Sequence, residues 1–427
     1  MKLTQYVNAM HLLEGRSTRV LSDPWVTFGG ISRTNLYNFP EHDLTPAEIA
    51  AIKPDFIYIT HTHYDHLCPE TMALFDSNTP VLVADYPRNN FTERAVKRLG
   101  FRDVRVVPSK EGLRLNGDDH VWIEPAAIYS DVDSMALFKI DGQTFFNGND
   151  CRFEEAQALR FRDIAQGALD VGLLPVAGSG PYPMFYENLS PKERRETSEA
   201  KIKEYFGDFV RWITGLRPRH VVPFAPGAMS GGPRALRYDN CGMGTAIDAV
   251  AYARRFVEVD PIYLSCRNSR DFVTGVTTGV YRGGGFPEHW DYVEKIAAKR
   301  TIFDENGDFY VAPWARVDLT RLLELARATQ VKWQDIRGIK SDWVYFIDIG
   351  EATLFRISLE DNTVSRVAEA AITDAKHEIF RMPYGLLLGL LTRHFNWSNV
   401  KTQYVRFFRR PNEFCVDLHV LMSHLHV

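Results

Sequence analysis

Apolar runs and polar breaks along the first 150 residues predict a β/α alternation. From Ala9 to Asp23 the chain reads as two strands bent at Gly15-Arg16-Ser17, running into Asp23-Pro24-Trp25. Phe56-Ile57-Tyr58-Ile59-Thr60 is a short, β-rich apolar run introduced by Pro54-Asp55 and predicts a buried strand. A short helix over 69–75, a strand over 79–84 and a helix over 90–99 follow, the rhythm of a layered α/β domain. Strands are then predicted over 121–129 and 134–140, with a turn at Asp141-Gly142 and a return through Thr144-Phe145-Phe146 that ends at Asn149-Asp150.

Between Pro191 and Leu216 the pattern changes period. Ile202, Tyr205, Phe206, Phe209, Val210 and Ile213 recur at helical spacing with Lys, Arg and Glu between them, which predicts a long amphipathic helix. A strand over 219–224 comes next, then a Gly- and Pro-rich stretch from Ala225 to Pro233, a loop at the carboxyl end of a strand where α/β folds place ligands. After about Arg300 the runs 343–347, 352–357 and 404–408 alternate and 384–394 is helical, so residues 301–427 are predicted to form a smaller α+β module behind a domain of residues 1–300.

Composition narrows the class of protein. A chain of 427 residues, 45% hydrophobic, can bury a large core, and a net charge of −4 creates no field that would gather nucleic acid or an anionic membrane. Cys68, Cys151, Cys241, Cys266 and Cys415 are scattered without a C-x-x-C pair, which argues against a disulfide framework or a zinc knuckle. The first residues lack the pattern of a signal peptide and no window has the apolar length of a membrane span, so a cytoplasmic location is expected.

The chemistry concentrates in His61-Thr62-His63-Tyr64-Asp65-His66. Three imidazoles and a carboxylate on one turn after a buried strand would repel on protonation, and their placement makes sense around cations. This run resembles the signature of the metallo-β-lactamase superfamily, with Asp23-Pro24-Trp25 upstream and Phe145 to Asp150 as the later strand ending in an acid. The resemblance implies an αββα sandwich and two divalent metal ions, with His61 and His63 on one, Asp65 and His66 on the other, and Asp150 bridging both.

Two imidazoles of that pattern are missing. Ile128-Tyr129-Ser130-Asp131-Val132-Asp133 stands where a fourth histidine belongs, and Ala225 where the last one does. Asp131 or Asp133 is the available substitute, and a site richer in oxygen moves the preference from zinc toward iron or manganese. Within the superfamily the chain is similar to the lactamase-like part of the CMP-N-acetylneuraminate hydroxylase family, through Val132-Asp133-Ser134, Asn149-Asp150-Cys151, Gly178 to Met184 and Val222 to Ala225. That resemblance implies a non-haem diiron oxygenase acting on a small polar, sugar- or nucleotide-like molecule. The paired Cys and His ligands of a Rieske cluster are not in this sequence, so a separate electron-transfer protein or the substrate is the expected source of electrons.

Asp65 and Tyr129 are the candidate catalytic residues, Asp65 to orient a water or take its proton and Tyr129 to line the pocket. Ser179, Tyr182 and Arg234 are candidate substrate-binding residues, because glycine-flanked loops let backbone N–H groups approach an anion that an arginine also attracts. His419, His424 and His426 lie in a run that alternates like a strand and are expected to pack, as are the thiols of Cys68 and Cys151; His120 is expected in a solvated turn. A metal-dependent hydrolase of phosphodiesters, lactones or thioesters and a non-catalytic binding protein on a degenerate fold are the competing readings. The tail is expected to cap the cleft, shield it or form a homo-oligomer interface.

Overall fold

The computed structural model describes residues 1–427 apart from 30–33, 88–89, 128–132, 168, 179, 225–226, 233–242, 300–309, 398–399, 401–403 and 414. Two sheets face each other. The first has eight strands in the order Thr277–Thr278, Asn268–Asp271, Lys2–Val7, Met10–Glu14, Arg19–Ser22, Phe56–Tyr58, Val81–Ala84 and Val104–Val107. The second has six, in the order Pro218–Phe224, Leu169–Pro175, Gln143–Asn147, Ser134–Ile140, His120–Pro125 and Leu113–Arg114.

Side chains that alternate along the strands fill the space between the sheets: Leu3, Leu13, Val20, Phe56, Tyr58 and Leu82 from one meet Ile123, Phe138, Phe145, Val171, Leu173 and Val222 from the other. The opposite faces are covered by helices. Met72 and Val96 pack on Ile57, Val81 and Val83 of the first sheet, and Phe161, Phe209 and Trp212 on Phe146, Leu174 and Val221 of the second. The result is the αββα layering.

The helix Pro191–Leu216 shows how local sequence sets these elements. Ser190 accepts from Glu193 N while Glu193 Oε2 accepts from Ser190 N at 2.8 Å, Pro191 occupies the first turn, and Arg217 ends the helix in the left-handed region at φ 52°. Phe206, Phe209, Trp212, Ile213 and Leu216 form its buried stripe.

The tail builds a five-stranded sheet in the order Val364–Val367, Leu354–Ser358, Val344–Asp348, His377–Arg381 and Arg406–Arg410, covered by the helices Thr320–Arg337 and Tyr384–Leu391. Its hydrophobic core also takes in Tyr37, Phe39, Phe185, Tyr186, Val293 and Ile296, so apolar packing runs on from the sandwich into the tail.

Two histidines sit differently from expectation. His419 lies in the helix Val416–Met422, because Leu418, Leu421 and Met422 bury at helical spacing against the tail core. His120 opens the strand His120–Pro125 and stacks on Trp122 with ring centroids 5.8 Å apart. His424 is buried and stacks on Trp333 at 4.4 Å. Cys68 and Cys151 are buried, and Cys241 lies outside the described residues. No helix among the described residues is long and apolar enough to cross a membrane.

The seam between sandwich and tail carries a buried acid. Glu378 accepts from Tyr186 Oη at 2.8 Å, and the Arg409 guanidinium lies 4.6 Å from the Tyr186 ring centroid. Burial pushes the Glu378 carboxyl up to about 7, against the pull of Arg409 and the Tyr186 hydrogen bond. A carboxyl whose pKa is higher folded than unfolded stabilises the fold below its unfolded value, and that contribution is lost as pH rises through the folded value. The unfolding free energy is therefore expected to lose about 3 kcal/mol between pH 4.5 and 7.5 from this residue, and Glu378→Gln to abolish that part of the decline in denaturant titrations.

Candidate metal centre

The strand Phe56–Tyr58 delivers the histidine turn to one end of the sandwich, and Asp23 fastens it there. Asp23 follows the neighbouring parallel strand Arg19–Ser22 in a left-handed conformation, φ 44°, and its N–H donates to the Tyr58 carbonyl at 2.9 Å. Its Oδ1 accepts from Thr60 N at 2.8 Å, and its Oδ2 accepts from Thr60 Oγ1 and from His66 Nδ1, each at 2.8 Å. The second sheet adds three residues at the same end: Asp133 and Ser134 where one strand starts, Asp150 just after the next one finishes. Ser134 Oγ donates to the Thr60 carbonyl at 2.7 Å, as does Tyr86 Oη at 2.8 Å.

These bonds decide which imidazole nitrogens face inward. The Thr60 hydroxyl gives its proton to Asp23, so its lone pair accepts His61 Nδ1–H at 2.9 Å and leaves His61 Nε2 as a lone-pair donor. His61 Nε2 lies 2.8 Å from His63 Nδ1 and 3.5 Å from Asp133 Oδ1. His66, with Nδ1–H given to Asp23, turns Nε2 toward Asp150 Oδ2 at 3.3 Å and Asp65 Oδ2 at 3.7 Å.

The ligand-type atoms thus form two groups, His61 with His63 and Asp133, and His66 with Asp150; His61 also lies within reach of the second. The rings of His61 and His66 are 4.0 Å apart.

Electrostatics test whether cations fit. Burial raises the pKa of Asp23 and of Asp65, with Asp150 repelling Asp65 further. For His66 burial acts downward, yet Asp150, Asp23 and Asp65 outweigh it and raise the imidazole well above its usual value. A protonated imidazole there supplies the positive charge that the carboxylates demand, the role a divalent ion would take. The Nε2 of His66 is buried and makes no hydrogen bond of good geometry, as a ligand atom turned toward an ion would. The donor set fits divalent cations: His61, His63 and Asp133 would hold one, and His66 and Asp150 another, with His61 in reach and Asp65 Oδ2 3.7 Å from His66 Nε2.

Of the other candidates, Tyr129, Asp131, Ser179 and Arg234 lie outside the described residues. Tyr182 is placed against the tail, edge-on to Tyr186 at 4.9 Å with the Arg409 guanidinium 4.8 Å from its ring centroid. Sequence reasoning missed Thr60, Ser134, Tyr86 and Asn149, whose Nδ2 lies 3.3 Å from His61 Nδ1. Hydroxyl and amide residues around a histidine turn have no spacing of their own; Asp23 before Pro24 was the one visible hint.

No protein-family model matches the chain. Over 234 residues, 53% of this chain and 43% of the relative, it is 28% identical to a Rieske 2Fe-2S iron–sulfur protein of Mycobacterium tuberculosis. Over 236 residues, 52% of this chain and 38% of the relative, it is 24% identical to the cytidine monophosphate-N-acetylneuraminic acid hydroxylase of Mus musculus. Over 229 residues, 52% of this chain, it is 25% identical to a metal-dependent hydrolase of Pyrobaculum calidifontis and covers 83% of it. The chain thus spans about two fifths of the length of the first two relatives.

Facing sheets between helices, with imidazoles and carboxylates gathered from both sheets at one end, define an α/β sandwich with a His/Asp metal centre. The chain is distantly similar to the hydroxylase and to the hydrolase, and its histidine turn resembles that of the metallo-β-lactamase-like superfamily.

His63→Ala should lose metal from its own group while the fold persists, and Asp150→Asn should lower occupancy of the His66 group. Asp23→Asn, which removes the charge behind His66, should weaken metal binding by about 10- to 100-fold. His424→Ala should keep full metal content and cost at most a few kcal/mol, roughly the scale of a lost packing contact. Elemental analysis of the four variants beside the parent protein checks all of these.

Proposed function

We propose that this protein is a non-haem diiron oxygenase that hydroxylates a small molecule. The observation that carries the reading is Asp133 at 3.5 Å from His61 Nε2, a carboxylate where a nitrogen ligand would favour zinc. With Asp65 and Asp150 it gives a centre as rich in oxygen as in nitrogen, a donor set that suits iron or manganese. The similarity to a hydroxylase and to a Rieske protein supports the same direction.

When bound, two irons would supply the electron transfer to dioxygen that no side chain here can perform. The chain's own residues hold and tune the site. Asp23 and Thr60 fix the tautomers of His66 and His61, and burial of both rings excludes water from their far sides. Asp65 and Asp150, partly open to solvent, border the space a substrate would approach, where Asp65 can take up a proton. Hydroxylation consumes one dioxygen, two electrons and two protons and releases one water, and the electrons would come from a separate electron-transfer protein.

A hydrolase reading is favoured by one observation, that the similarity covers most of the Pyrobaculum hydrolase. In that case Asp65 would orient the attacking water or accept its proton.

Iron(II)-reconstituted protein given ascorbate should consume oxygen on an oxygen electrode, and Asp150→Asn should slow it by at least about tenfold, the typical scale for a disturbed metal site. Stoichiometric zinc in the purified protein, with turnover of a lactone, thioester or phosphodiester under strictly anaerobic conditions, would sink the oxidative reading in favour of the hydrolytic one.

A further inference from the structure

A cavity of about 110 Å³ opens beside the tip of the hairpin formed by Lys2–Val7 and Met10–Glu14. Asn8 at that tip is part of its wall, and the Asn8 side-chain amide donates to the Asp65 carbonyl at 3.4 Å, so the cavity adjoins the histidine turn. Its volume is of the same order as the apolar cavities of ~150 Å³ that take up benzene.

The character of the wall defines what fits. Among the described residues no lining side chain carries a formal charge. Phe39 and Phe286, with ring centroids 4.5 Å apart, and Phe224 present aromatic surface. The polar groups are largely spent on their own surroundings: Gln5 Nε2 donates to the Asn8 carbonyl at 2.7 Å, Thr245 Oγ1 to Asp248 at 2.7 Å, and Ser265 Oγ accepts from Arg282 N at 2.8 Å. The phenols of Tyr6 and Tyr281 have no hydrogen-bond partner among the described residues. A phosphate or carboxylate placed here would lose its hydration without gaining a counter-charge from any described side chain of the lining. A neutral ring loses little and gains aromatic contact, and an oxygen on it can pair with a phenol.

We propose that this cavity is the substrate pocket of the metal centre and that it takes an uncharged ring bearing a hydroxyl or carbonyl oxygen. The proposal rests on the centre being catalytic, and it departs from the nucleotide-like substrate that the hydroxylase resemblance implies, because no described side chain of the lining carries a charge to pair with an anion.

The test uses fluorine NMR of the full chain with 4-fluorobenzyl alcohol and 4-fluorobenzyl phosphate, on metal-depleted, zinc-loaded and manganese-loaded protein. The alcohol should broaden on binding and the phosphate should not. Tyr281→Phe, which removes one hydroxyl, should weaken the alcohol by about three- to tenfold, and Phe286→Ala by at least about tenfold. Manganese should broaden the bound alcohol far beyond zinc, because Asn8 of the pocket wall bonds to the turn that would hold the paramagnetic ion. Equal broadening of both probes, alcohol binding unmoved by both substitutions, or manganese with no more effect than zinc would each overturn the proposal. Alcohol binding by a protein that consumes no oxygen keeps the pocket and removes the oxidative reading; oxygen consumption without alcohol binding does the reverse.

Discussion

Negative charge gathered at one end of a dry sandwich is the constraint that organises this protein. Asp23, Asp65 and Asp150 converge on the single imidazole of His66, and Asp133 approaches His61. Carboxylates this close cannot all ionise in a water-poor site without positive charge among them. The raised basicity of His66 and the upward shifts of Asp23 and Asp65 are two expressions of that demand. The fold tolerates the arrangement because the first sheet supplies the histidine turn with Asp23 and Asp65, the second supplies Asp133 and Asp150, and the apolar layer between the sheets holds both sets in place.

The hydrogen bonds behind the ligands matter as much as the ligands. Thr60 links four of the parts, accepting from His61, donating to Asp23, and offering its carbonyl to Tyr86 beside it and to Ser134 across the sandwich. Tyr58 donates to Ser134 in turn at 3.0 Å, so a chain of bonds runs from the strand Phe56–Tyr58 to the second sheet behind the metal turn. Such a chain removes rotational freedom from the imidazoles before any ion arrives, which lowers the entropic cost of binding one.

How much of this the sequence disclosed depended on the range of the signal. The histidine turn, the strand before it and the helix Pro191–Leu216 are written in contiguous residues, and their apolar patterning could be read directly. The pairing of Asp133 with His61 joins two sheets, and neither residue announces the other; only the missing histidine of a resembling family pointed to that region. Thr60, Ser134 and Asn149 act through hydroxyl and amide groups that occur in any loop, so the fold alone distinguishes them. His419 failed for a different reason: a short apolar run of seven residues fits a strand or a helix equally, and packing of Leu418, Leu421 and Met422 on the tail decided it.

The tail is bound to the same end-to-end logic. Its core continues through Phe39, Phe185 and Tyr186, and Phe39 also forms part of the wall of the cavity beside Asn8. One side of that pocket is therefore held by a residue whose packing the tail shares. Gly227 closes the arrangement: a Cβ there would meet Asn8 Cα at 2.9 Å and the Phe39 carbonyl at 3.0 Å, so the hairpin tip, the Phe39 segment and the loop after Phe224 meet with no space for a side chain. Because the Asn8 side chain also donates to the Asp65 backbone carbonyl, a chain of contacts through Gly227 and Asn8 links Phe39 of the tail core to the histidine turn.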